Sequence, residues 1–105
     1  MKFHMSYRSR LFMGIVTLLA FATPALAYTG QKLASQAKIT IAQARGIALK
    51  AHPGKVTDEE LEREGGGSGL RYSFDIRNRS HTQEVGVDAV SGKVIENKTE
   101  GPNPD

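Results

Sequence analysis

The sequence predicts an α+β domain in which one helix is followed by several strands. Apolar residues recur at helical spacing from Thr40 to Ala51. From Leu70 to Asn78 they alternate strictly with polar residues, as in a strand that has one buried face. Turn-forming residues separate the later segments. We therefore expect one small domain, which we place at residues 39–100 of the 105-residue chain.

The helix has start and stop signals of its own. Thr40 is a suitable N-cap, and Gln43 follows at the capping-box position three residues later. His52-Pro53-Gly54 ends the helix, because the residue before a proline disfavours helical backbone and a glycine can adopt positive φ. The predicted buried stripe consists of Ile41, Ala44, Ile47, Ala48 and Ala51.

Three segments are predicted strands. Leu70–Asn78 is the clearest, and Thr82–Val90 is the second, with Gly86 marking a bulge or a close approach. Val94–Thr99 follows the Ser91-Gly92 turn, which predicts a closing hairpin packed through Val87 and Val94. In the first strand we expect four side chains to be buried, Leu70, Tyr72, Phe74 and Ile76, and four to face water, Arg71, Ser73, Asp75 and Arg77.

The segment Lys55–Glu64 is ambiguous. Its Glu, Leu and Arg residues favour a helix, and Thr57 and Glu60 form a second potential capping box. Its position between a helix and a strand, with Gly65–Gly69 as a hairpin-like connection, favours a strand. Local sequence leaves both alternatives open.

Four stretches within residues 39–96 occur in a distinctive order: T-I-A-Q-A, A-L-K-A-H-P-G-K-V, E-L-E-R-E-G-G-G-S-G-L-R-Y-S-F-D-I and E-V-G-V-D-A-V-S-G-K-V-I. Their order and spacing resemble those of the PepSY domain family. The resemblance implies that Val56–Arg63 is a strand and that the helix packs across an antiparallel sheet of three to four strands. It also implies a role in controlling peptidases, since such domains occur in the propeptides of secreted metallopeptidases.

Residues 1–27 have the pattern of a secretory signal peptide. Three positive charges precede the uncharged apolar run Leu11–Ala22, and an A-x-A motif ends at Ala27. The run is shorter than the roughly 20 residues of a membrane-spanning helix. We therefore expect cleavage between Ala27 and Tyr28 and an exported protein, periplasmic or extracellular, without a stable membrane anchor.

Cleavage would also change the charge of the protein. The chain carries 14 Lys and Arg against 11 Asp and Glu, and three of the positive residues lie in the predicted signal peptide. The remaining 11 balance the 11 acidic residues, so overall charge predicts no nucleic-acid binding. Within the mature chain we expect a flexible leader at residues 28–38 and a disordered tail at 101–105.

No residue pattern predicts catalysis, a cofactor or a metal site. The sequence has no Cys, and His52 and His81 are isolated histidines, whereas a zinc site needs three or four ligands. No serine lies in a nucleophile-elbow motif. We expect the acidic run at residues 58–64 to form a solvated strand face rather than a cation site, and Gly65–Gly69 to be a flexible turn rather than a phosphate loop.

The remaining hypotheses concern binding. On the PepSY resemblance, the protein would modulate or inhibit a secreted or periplasmic peptidase through protein–protein contacts. The alternative is an envelope module that binds or senses a ligand or cation and has no protease role. In either case we predict the partner-binding residues on the wet side of the clearest strand, namely Arg71, Asp75, Arg77 and Arg79.

Overall fold

The computed structural model describes residues 27–79 and 81–101. The predicted signal peptide before Ala27 and the end of the predicted tail lie outside them. A 3₁₀ helix at Gln31–Gln36 precedes the helix α1. The elements that follow are α1 (Ile41–Ala51), β1 (Lys55–Arg63), β2 (Leu70–Asn78), β3 (His81–Asp88) and β4 (Val94–Thr99). The strands form one antiparallel sheet in the order β1-β2-β3-β4, which confirms the predicted fold class.

The helix α1 begins at the predicted capping box. The Gln43 backbone N–H donates to the Thr40 hydroxyl at 3.1 Å, and the Thr40 N–H donates to the Gln43 side-chain oxygen at 2.8 Å. Ala44 and Ala48 are completely buried, so the helix lies close to the sheet. Ala51 is exposed, unlike the prediction, because it lies in the last turn beyond the buried part of the helix.

One face of the sheet packs against α1, and we call it the inner face. It supplies most of the hydrophobic core, and the predicted orientation of β2 is confirmed. The Tyr72 hydroxyl donates to the Ile39 carbonyl at 2.9 Å, which joins β2 to the residues just before α1. The buried inner-face residues of the strands are Leu61, Leu70, Tyr72, Phe74, Ile76, Val85 and Val87.

The ambiguous segment is strand β1, as the family resemblance implied. The segment forms a strand despite its helix propensity, because tertiary packing decides its conformation. Leu61 is 1% exposed, and the segment pairs with β2 along its length. A β-bulge lies between Val56 and Asp58 and shifts the register by one residue.

Residues 28–38, predicted as a flexible leader, form ordered structure against β1. The Leu61 N–H donates to the Thr29 carbonyl at 2.8 Å, and the 3₁₀ helix follows directly. Gly30 has φ +83°, and a Cβ at this position would overlap the Leu61 carbonyl oxygen. The sequence of this segment has no apolar period, so the packing was not predictable from periodicity.

The β3–β4 hairpin closes the sheet as predicted, with two differences. Strand β3 ends at Asp88 rather than Val90, because the Gly92 N–H already donates to the Asp88 carbonyl at 2.9 Å. Gly92 has φ +79°, as the turn requires. Val87 is fully buried, whereas Val94 is 40% exposed, so its predicted packing role is wrong.

Candidate functional site: the outer face of the sheet

The face of the sheet opposite α1, which we call the outer face, carries rows of charged side chains. In one row Asp58 of β1 lies opposite Asp75 of β2, and Asp75 lies opposite Glu84 of β3. Only at β4 does a cation, Lys98, complete the row. Like charges directly opposite one another destabilise a sheet. The register therefore places three carboxylates side by side on neighbouring strands, with no cation between them.

The electrostatics of these carboxylates reflect this crowding. Burial, together with the nearby charges of Asp58 and Glu100, raises the pKa of Asp75. Burial and four neighbouring carboxylates likewise raise the pKa of Glu60. A hydrogen bond with Glu100, and then burial, raises the pKa of Glu84 to about 7. Two carboxyl groups can share a hydrogen bond only when one holds a proton, so the hydrogen bond favours the protonated form of Glu84.

Arg71, a predicted partner-binding residue, is almost completely buried. Its side chain lies on the outer face but is only 6% exposed. One guanidinium nitrogen lies 2.7 Å from Glu96, and another donates to the Gly65 carbonyl at 2.9 Å. The guanidinium passes over Gly86, where a Cβ would lie 3.3 Å from the Nη1 atom. Arg71 therefore ties β2 to β4, and the expectation that it faces water is wrong.

Ser73 is also buried, contrary to the prediction, and its hydroxyl donates to Glu62 at 2.6 Å. The other predicted partner-binding residues have more open positions. Asp75 is half-buried in the acidic row, and Arg77 is exposed near the β2–β3 turn. Arg79 is exposed in that turn with φ +56°. The outer face thus has an acidic centre and a basic end, and whether a partner binds there stays a prediction.

Asp88 is a buried carboxylate that organises two loops, and no sequence pattern indicated this role. The carboxylate is 1% exposed and accepts backbone N–H bonds from Ser68 at 2.6 Å, Val90 at 2.9 Å and Ser91 at 2.8 Å. Burial alone would raise the pKa of Asp88, but these hydrogen bonds together outweigh it and lower the pKa. Gly67 has φ +54°, and a Cβ there would overlap the carboxylate. Asp88 therefore anchors the glycine-rich loop, which we had predicted to be a flexible turn.

The fold brings together the two histidines that the sequence separates. The ring centroids of His52 and His81 lie 5.7 Å apart in an edge-to-face arrangement. The Nε2 atom of His52 is buried without a hydrogen-bond partner.

Among the described residues no group of three or more His, Cys, Asp or Glu side chains is arranged to hold a metal ion. In the same part of the chain, no helix has the length and apolar character needed to cross a bilayer.

Comparison with known proteins identifies the family of this domain. The sequence profile of PepSY, described as the peptidase propeptide and YPEB domain, matches residues 38–98. Searches of curated protein sequences and of solved structures found no significant match. The matched region extends from the residues before α1 to the end of β4 and includes the whole sheet. Since it covers more than half of the chain, this protein belongs to the PepSY family.

Proposed function

We propose that this protein is an exported, non-catalytic PepSY domain that binds a secreted or periplasmic peptidase and modulates or inhibits it. PepSY domains are generally propeptide or regulatory modules and occur in exported proteins, which supports this class of function. The proposed contact surface is the outer face, because α1 covers the inner face. Asp75, Arg77 and Arg79 remain its proposed contact residues, and Arg71 contributes only by holding the face together.

The observation that carries this proposal is the row of three carboxylates at the centre of the outer face, which has a single cation, Lys98, at its end. Asp58, Asp75 and Glu84 lie opposite one another on three strands. Lys or Arg side chains of a partner would relieve this repulsion and supply the missing counter-charges. The chemistry of the face therefore fits a peptidase surface with a basic patch.

The proposal is tested by measuring the activity of a co-secreted metallopeptidase at increasing concentrations of the purified protein. The double variant Asp58→Asn, Asp75→Asn should melt no lower than the unmodified protein, because it removes the repulsion between two carboxylates of the row. It should inhibit roughly three- to ten-fold less, since each exposed ion pair contributes up to about 1 kcal/mol. Glu64→Gln is the matched control, because Glu64 is exposed beyond the end of β1.

Two results would contradict the proposal at different levels. Full inhibition by the double variant would move the interface away from the outer face. Absence of inhibition of any co-secreted peptidase by the unmodified protein would favour the alternative, an envelope binding or sensing module.

A further inference from the structure

Strand β1 forms one edge of the sheet, and only part of that edge is covered. The order of the sheet leaves β1 paired with β2 on one side. On its other side Thr29 makes a single parallel bridge to Glu60. Within residues 27–79 and 81–101 this bridge is the only pairing on that side. We call the stretch Val56–Glu59, on the side away from β2, the open edge.

The backbone alternation shows which groups of the open edge are free to pair. The Leu61 N–H points away from β2, because it donates to Thr29. The register with β2 is unbroken from Asp58 to Arg63, so the backbone groups of Glu59 also point away from β2. The parallel bridge of Thr29 to Glu60 engages the Glu59 carbonyl, which leaves the Glu59 N–H to pair with another chain. Unpaired strand edges of this kind are templates for another extended chain. The Thr29 bridge demonstrates that β1 accepts a chain on this side.

A cleft of about 580 Å³ runs beside the open edge. The strand forms one side of it, and Tyr28 and Arg45 contribute to the lining from other elements. Arg45 is held in place by Glu59, whose carboxylate oxygens lie 2.5 and 2.9 Å from the guanidinium nitrogens. Four residues of strand correspond to roughly 13 Å at about 3.3 Å per residue. The cleft therefore accompanies an edge long enough to pair with a short extended segment.

The side chains beside the open edge define the chemistry of such a segment. Successive residues of an added strand would point alternately to the two faces of the sheet. On the outer face they would lie next to Asp58 and Glu60, which calls for Lys or Arg. On the inner face they would lie next to Val56, Tyr28 and Glu59. The charge of Glu59 is already paired with Arg45, so this side calls for apolar residues.

We propose that the open edge of β1 binds an extended segment of a partner protein as a fifth strand, and that basic and apolar residues alternate in this segment. A second copy of this chain fits less well, because two β1 strands would bring the same acidic outer-face residues together. This recognition uses main-chain hydrogen bonds in addition to charge. It does not depend on the partner being a peptidase.

The test uses three fluorescein-labelled seven-residue peptides and fluorescence anisotropy. The first alternates lysine and valine, the second has the same composition with lysines and valines in separate blocks, and the third alternates glutamate and valine. We expect the first peptide to bind roughly ten-fold or more tightly than the other two. The alternating lysine peptide should lose this affinity when its backbone nitrogens are methylated at every second residue, because methylation removes the main-chain donors.

A pair of variants at Glu59 separates main-chain pairing from charge. Glu59→Pro removes the outward N–H, and Glu59→Ala keeps it, while both lose the ion pair with Arg45. Binding should be lost in the proline variant and retained in the alanine variant, provided that circular dichroism shows both to be folded. Equal binding of the alternating and block peptides, or of the N-methylated and unmodified peptides, would overturn the proposal. Those outcomes would assign binding to charge on the outer face alone.

Discussion

Both faces of the sheet contain buried side chains, but those of the inner face are apolar, whereas those of the outer face are polar and need hydrogen-bond or ion-pair partners. Strand β2 contributes to both: Tyr72 and Phe74 are buried on the inner face, and Arg71 and Ser73 are buried on the outer face. The buried residues of the inner face are apolar, so their burial favours folding. The outer face buries polar groups that need specific partners.

The difference between the faces is therefore one of electrostatic balance. Arg71 forms an ion pair with Glu96. The Asp88 carboxylate accepts hydrogen bonds from three backbone N–H groups. The row that contains Asp75 and Glu84 has three carboxylates and one cation, Lys98, and the pKa values of Asp75 and Glu84 are raised. The inner face and the paired parts of the outer face stabilise the domain, whereas the unpaired row is a surface that a cationic partner would complete.

The largest expected effect tests the inner face. Phe74 is completely buried, and replacing it with Ala should cost about 3–5 kcal/mol of unfolding free energy. Domains below about 70–80 residues rarely have more than about 3–5 kcal/mol of stability, so much of the variant should be unfolded near room temperature. Urea denaturation followed by circular dichroism measures the change. Phe74→Leu is the control and should cost clearly less, because it leaves a smaller cavity.

The inner face was predictable from the sequence, and most of the outer face was not. The alternation of β2 needs only a period of two, so the burial of Phe74 follows from local sequence. The meeting of Asp58 with Asp75 depends on the bulge in β1 and on strand register. The burial of Arg71 depends on Gly86, on a neighbouring strand, leaving room for its side chain. Such contacts join residues that are far apart in sequence, and no local pattern signals them.

Contacts between residues that are distant in sequence also determine the role of Asp88 and the conformation of β1, so local sequence revealed neither. Asp88 binds Ser68, 20 residues earlier in the chain. In β1, local propensity allowed a helix, and the pairing with β2 decided for a strand. The order of motifs in the family resemblance carried this long-range information, whereas composition did not.

A second, smaller effect tests the paired part of the outer face. Asp88→Asn places an amide donor against a backbone donor, and we expect a loss of about 2–3 kcal/mol. The lowered pKa of Asp88 adds a dependence on pH. Its stabilising contribution is complete above the ordinary pKa of 3.8 and is lost as the pH falls through the lowered value. The difference between the two proteins, measured by urea denaturation, should therefore shrink below pH 4.

A third effect, of opposite sign, tests the unpaired row. The pKa of Glu84 is raised from 4.5 to about 7, so its stabilising contribution is present below pH 4.5 and is lost as the pH rises through about 7. Glu84→Gln keeps a neutral donor for Glu100 at every pH. At pH 8 this variant should be more stable than the unmodified protein by about 1 kcal/mol, a value reduced for solvent screening.

Denaturation midpoints at pH 5 and pH 8 measure this difference, with Glu64→Gln as a control for removal of an exposed carboxylate. If Glu84→Gln is no more stable at pH 8 than at pH 5 relative to the unmodified protein, Glu84 and Glu100 do not share a proton in solution.

The smallest expected effect separates two arginines on the same face of β2. Arg77 is exposed, and its guanidinium lies 3.4 Å from the Thr82 hydroxyl, so Arg77→Ala should change the unfolding free energy by no more than about 0.5 kcal/mol. Arg71→Ala is the matched comparison and should cost several times more, because it leaves Glu96 without its buried partner. If the two variants have the same melting temperature, the ion pair between Arg71 and Glu96 contributes little to the stability of the domain. If Arg77→Ala keeps its stability but inhibits a peptidase less, the basic end of the outer face contacts the partner directly.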